Sequence, residues 1–102
     1  MDLGIRDKVA IVGGASGGIG SAIAHELGRE GAHLVLWARK GEPLEQAASK
    51  IVESTGADVL TVTGDIREGA DLENIVSAGM NRFGRVDILV NNDGAPRLGP
   101  LL

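Results

Sequence analysis

Apolar residues in this chain fall into short blocks with two kinds of spacing. Lys8-Val9-Ala10-Ile11-Val12 is a β-branched run ended by Gly13-Gly14, which predicts a strand buried on both faces. Ile19, Ile23 and Leu27 then recur at helical spacing, with Ala22 and Ala24 beside them and Gly28 and Gly31 as the stop. His33 to Ala38 reads as a second strand. Leu44, Ala47, Ala48, Ile51 and Val52 form the apolar stripe of a second helix that opens at Pro43, a favoured first-turn residue, and closes at Thr55-Gly56. Asp58 to Thr63 is a third strand. Leu72, Ile75, Val76, Gly79 and Phe83 give a third helical stripe, and Val86 to Val90 a fourth strand.

The order βαβαβαβ with short connections predicts an α/β fold, a doubly wound parallel sheet with helices on both faces. Right-handed crossovers reduce the topologies to strand order 3-2-1-4, with a switch point between strands 1 and 4 and a ligand crevice at their carboxyl ends. Past Asn92 the sequence is turn-rich. Strand 4 would be an apolar parallel edge, which is normally covered. The expectation is therefore that residues 1–102 are the N-terminal part of a single larger domain, completed by the remaining half of the same protein or by association with a second copy.

Composition narrows the function classes. Ten Lys+Arg against 14 Asp+Glu give a net charge of −4, which argues against nucleic acid or an anionic membrane as the main partner. No apolar run approaches the roughly 20 residues of a membrane span. The chain has no cysteine, which removes disulfides and thiolate chemistry; with an N-terminus unlike a signal peptide, it fits a cytoplasmic protein. It has no tyrosine, so a phenolic acid or base is unavailable within these residues. His25 and His33 lie in the first helix and the following strand without a carboxylate at ligand spacing, so no metal site is expected.

The chemistry is concentrated between strand 1 and helix 1. Gly13-Gly14-Ala15-Ser16-Gly17-Gly18-Ile19-Gly20 holds glycines at 14, 18 and 20 in a Gly-x-x-x-Gly-x-Gly spacing, distinct from G-x-G-x-x-G. The physical demands are similar: positive φ at the turn, no side chain where backbone meets a phosphate, and close approach of helix to strand. Free N–H groups at the helix start and the helix dipole favour an anionic ligand. The alternative is a flexible turn with no ligand, at a considerable entropy cost for five glycines in eight residues. At the end of strand 2, where an acid would accept from a free ribose 2′-hydroxyl, stands Ala38, followed by Arg39 and Lys40. A guanidinium fork there suits a 2′-phosphate. The alternative is a solvated basic pair.

Taken in order and spacing, Gly14-Ala15-Ser16-Gly17-Gly18-Ile19-Gly20, Asp65-Ile66 after strand 3, and Phe83-Gly84-Arg85-Val86-Asp87-Ile88-Leu89-Val90-Asn91-Asn92-Asp93-Gly94 resemble the short-chain dehydrogenase/reductase family over the whole chain. Among its members the 3-oxoacyl-acyl-carrier-protein reductases are the most similar. The resemblance implies a Rossmann-type sheet and a nicotinamide dinucleotide, with NADP(H) favoured over NAD(H) on the strength of Arg39. It implies that Gly14, Ser16, Gly18 and Ile19 line the pyrophosphate and adenosine ribose, and that Asp65 and the backbone of Ile66 meet adenine. Asn92 and Gly94 would border the ribose nearer the nicotinamide. The family's catalytic serine, tyrosine and lysine come in its second half, so no catalytic residue is assigned here. Three positions depart from the family pattern: Gly13 stands where threonine is usual, Gly17 where a basic residue is frequent, and Asp93 where alanine is usual. Asp93 could accept from the glycine loop in place of the missing threonine hydroxyl; the alternative is a solvated turn aspartate. Non-catalytic alternatives are a nucleotide-binding or interaction module and a flavin- or adenylate-binding protein of the same fold class.

Overall fold

The computed structural model describes residues 4–65 and 69–90. Four strands, β1 (Val9–Gly13), β2 (His33–Ala38), β3 (Val59–Thr63) and β4 (Ile88–Val90), alternate with three helices, α1 (Gly18–Arg29), α2 (Gly41–Thr55) and α3 (Gly69–Phe83). All pairings are parallel and the sheet order is β3-β2-β1-β4, as the sequence predicts.

Side-chain alternation along the two central strands divides the core into two layers. Ala10, Val12, Leu34, Leu36 and Ala38 face Ala24, Leu44, Ala48 and Ile51 of α1 and α2. Val9, Ile11, Val35 and Trp37 face Ile75 of α3, with Phe83 and Val86 packed at the margin. Because β1 and β2 are covered on both sides, they are apolar throughout except at His33, the half-buried first residue of β2, whereas the outer strands β3 and β4 are mostly half-buried.

Local chemistry sets the helix ends. Pro43 is tolerated as the third residue of α2, since its missing N–H falls among those with no intrahelical acceptor. At the other end Gly56 turns left-handed (φ +73) and donates its N–H to the Val52 carbonyl at 2.9 Å, while the Thr55 hydroxyl donates to Ile51 O at 2.7 Å. Gly84 (φ +79) ends α3 in the same way, with its N–H 2.8 Å from Met80 O.

At the amino end of the sheet, Asp87 fastens β4 to β1. Its carboxylate accepts from Val9 N–H at 2.9 Å and from Arg85 Nε and Nη2, both at 2.8 Å. The Arg85 guanidinium and the Val9 amide hold the Asp87 carboxyl below the usual aspartate range, because both favour its charged form. Pairing of β4 begins at Ala10↔Ile88, so the ordered strand is shorter than the apolar run from Val86 suggests.

Three stripe residues face outward. Val52 and Val76 are exposed on the rims of their helices, and Ile19 is 68% exposed at the start of α1. No helix among the described residues is long and apolar enough to cross a membrane.

Candidate functional site

The carboxyl ends of β1 and β2 open into a cleft of about 910 Å³ lined by Gly14, Ser16, Gly17, Gly18, Ile19, Trp37, Ala38, Arg39, Lys40 and Pro43. Its floor and one wall are the turn from β1 into α1. That turn needs its glycines for separable reasons. Gly14 (φ +63) and Gly18 (φ +57) occupy left-handed backbone that side chains rarely adopt. At Gly20 the constraint is contact: a Cβ would lie 2.8 Å from the Gly14 carbonyl carbon and nearer still to its oxygen, so α1 rests directly on the loop backbone. Gly17 is extended (φ −179) with open space where a side chain would stand, so neither demand applies to it.

Helix α1 starts on Gly17 without a side-chain cap and without an acidic residue in its first turn. Its positive dipole end and first N–H groups are therefore left to the cleft, an arrangement suited to an anion. Arg39 and Lys40 stand exposed on the opposite wall, and no carboxylate among the described residues pairs with either. Between them and the glycine loop, Ala38 presents only a methyl group to the core, with no acid at the end of β2. The exposure of Ile19 has its explanation here, since it forms the apolar rim of the cleft rather than part of the core.

Of the residues expected from sequence, the structure thus brings together Gly14, Ser16, Gly18, Ile19 and Arg39. Asp65 lies just beyond β3, at the same end of the sheet but outside the cleft lining; its backbone N–H donates to the Asp71 carboxylate at 3.0 Å, which ties the turn to α3. Ile66, Asn92 and Gly94 lie outside the described residues, as does Asp93, the suggested partner of the glycine loop. The lining residues that the apolar pattern conceals are Trp37 and Pro43. Trp37 reads as one more core residue of a buried strand and Pro43 as a helix opener, and each is both that and part of the cleft wall.

His33 stacks on Phe83, with ring centroids 5.3 Å apart and planes inclined by 11°, and its Nε2 lies 3.7 Å from Asp7 Oδ1. It sits at the opposite end of β2 from the cleft and takes no part in it.

Comparison with known proteins places this geometry. The family model for short chain dehydrogenase matches residues 8–102. An 11-beta-hydroxysteroid dehydrogenase A from Sesamum indicum is 41% identical over 90 residues, covering 88% of this chain and 26% of the relative. The crystal structure of L-sorbose reductase from Gluconobacter frateurii, complexed with NADPH and L-sorbose, superposes with a TM-score of 0.89 at 42% identity, covering 99% of this chain and 38% of that one. An NAD+-bound xylitol dehydrogenase superposes with a TM-score of 0.84 at 32% identity, covering 89% of this chain and 35% of that one. The chain therefore spans between a quarter and two fifths of the length of these relatives. Strand order, glycine loop and family match agree, and the chain belongs to the short-chain dehydrogenase family.

Proposed function

We propose that this chain is the cofactor-binding portion of an NADP(H)-dependent oxidoreductase that reduces a carbonyl to an alcohol. The observation that carries the reading is one cleft in which an uncapped helix start, a glycine loop turned left-handed at Gly14 and Gly18, and an Arg39-Lys40 wall with no carboxylate partner among the described residues converge. These residues fit a dinucleotide bearing a 2′-phosphate. The amides at the start of α1 and the Ser16 hydroxyl would donate to phosphate oxygens, and Ile19 would cover the ribose with apolar surface. Arg39 would grip the 2′-phosphate with its guanidinium fork, assisted by the Lys40 ammonium. Ala38 matters for what it lacks, because a carboxylate there would repel that phosphate and hold a free 2′-hydroxyl instead. Asp65 and Ile66 would meet adenine, and Asn92 and Gly94 the ribose nearer the nicotinamide.

When bound, the cofactor supplies hydride to a carbonyl. The described residues bind and orient it; the proton for the new hydroxyl comes from elsewhere in the complete enzyme. The substrate class we favour, from the resemblance in sequence, is a 3-oxoacyl thioester or a similar carbonyl compound, and the sugar and steroid oxidoreductases among the relatives supply the competing classes. Residues 1–102 would then form the N-terminal part of one NADP(H)-binding domain.

Calorimetric titration with NADPH and NADH tests the cofactor assignment. NADPH is expected to bind at least about tenfold more tightly, a difference of about 1.4 kcal/mol. Equal affinities would refute the 2′-phosphate assignment, and no binding of either would refute the cofactor reading.

A further inference from the structure

We infer that Trp37 and Gly13 form a matched pair that sets the position of the glycine loop, which makes Trp37 a positioning residue for the dinucleotide; this rests on the cofactor reading above. The two are register partners on the adjacent parallel strands β1 and β2, so their side-chain positions lie on the same face of the sheet. A Cβ on Gly13 would lie 2.5 Å from Trp37 Cε2 and 2.7 Å from Nε1. Gly13 is not in left-handed backbone, so its conformation does not demand glycine. The indole does.

That indole cannot readily yield. Trp37 is 2% exposed and packed with Val9, Ile11, Val35 and Ile75 beneath the loop. Its Nε1 is buried and has no hydrogen-bond partner among the described residues. Burying an unpaired donor is unfavourable, so the ring is held there by its fit and not by its N–H. The same residue meets the loop a second time through its backbone, where its carbonyl accepts from Ala15 N–H at 3.2 Å. Trp37 therefore grips the loop on both sides of Gly14, the left-handed residue at which the chain turns toward the cleft. Loss of the ring at 37 therefore leaves Gly13 free to shift, and with it the amides that face the ligand.

The pair makes a prediction that independent contacts would not. Gly13→Ala forces the loop away from the indole, and Trp37→Ala removes the loop's support; each should raise the NADPH Kd by about tenfold or more. In Gly13→Ala/Trp37→Ala the new methyl enters vacated space, so the double variant should bind better than either single one and return to within about threefold of the parent chain. Trp37→Phe, which keeps a buried ring without the N–H, should also stay within about threefold, and it keeps the test available should Gly13→Ala fail to fold. Trp37 is the only tryptophan in the chain, so its emission should shift to the red in Gly13→Ala as the ring is displaced. The inference is overturned if the double variant binds more weakly than both singles, if Gly13→Ala binds like the parent, or if Trp37→Phe is as weak as Trp37→Ala. A parent chain that binds no NADPH counts against the cofactor reading instead. The pair is then judged by urea unfolding, where the double variant must again recover stability lost in Gly13→Ala.

Discussion

Alanine placed in turn at Gly17, Gly18 and Gly20 should give three different stabilities, although the three glycines lie within four residues of one another. At Gly20 the added methyl meets backbone: it would stand 2.8 Å from the Gly14 carbonyl carbon and 3.1 Å from the Gly13 oxygen. Reaching an ordinary separation of about 3.5–4.0 Å requires α1 to move outward by about 1 Å. Such overpacking costs about 1–3 kcal/mol, and the upper end applies because neither partner is a flexible side chain. Better helix propensity returns at most about 1 kcal/mol, which leaves a net loss of about 2 kcal/mol. At Gly18 the methyl has open space but inherits φ +57, a left-handed conformation that costs about 1–2 kcal/mol. At Gly17 there is neither contact nor positive φ, so stability should stay within about 0.5 kcal/mol of the parent. Urea unfolding resolves these differences: with a slope of about 1–3 kcal/mol per molar, Gly20→Ala should lower the midpoint by about 1 M. If Gly17→Ala proved as damaging as Gly20→Ala, or Gly20→Ala proved harmless, the assignment of distinct roles to these glycines would be wrong.

Arg39→Ala should cost about 1.5–3 kcal/mol of NADPH binding, as for a hydrogen bond to a charged group, and leave NADH almost unaffected in calorimetry; equal losses would reject the 2′-phosphate role. Ile19→Ala should weaken dinucleotide binding yet change stability by less than about 0.5 kcal/mol, since the side chain rims the cleft; a core-sized loss in thermal unfolding would contradict that placement. Asp87 has its folded-state carboxyl held below the ordinary aspartate value, so its ionisation stabilises the fold above that value and ceases to do so as pH falls through the lowered one. The stability gap between the parent and Asp87→Asn should accordingly be full at neutral pH and close in strongly acidic solution, and a gap independent of pH would show that the ion pair with Arg85 and the bond to Val9 are not its source.

The element order and the sheet topology are legible in the apolar pattern because β1 and β2 are buried on both faces and so read as unbroken runs. Helical spacing marks which residues share a face, but it does not distinguish a face turned to the core from one turned to a cleft. Ile19 shows this, since it continues the stripe of Ile23 and Leu27 and yet stands at the rim of the site. Val52 and Val76 show the milder case of stripes wider than the surface that covers them. The glycine loop was visible as a cluster, but its members could not be ranked, because the constraint on Gly20 comes from Gly14 and that on Gly13 from Trp37. The second of these joins residues far apart in sequence and follows only from strand register. It also accounts for the glycine at a position where the family resemblance leads one to expect threonine, since no Cβ fits against the indole.

In the function proposed above, one cleft at the carboxyl ends of β1 and β2 receives the dinucleotide. Amide chemical-shift mapping by NMR during titration with NADPH locates the binding site residue by residue. The largest shifts should fall on Gly14, Ser16, Gly18, Ile19, Arg39 and Lys40, while Val9, Arg85 and Asp87 at the opposite end of the sheet remain unmoved. Saturable shifts centred on the groove between α2 and β3, around Glu45, Ser49 and Thr61, with the glycine loop silent, would contradict it.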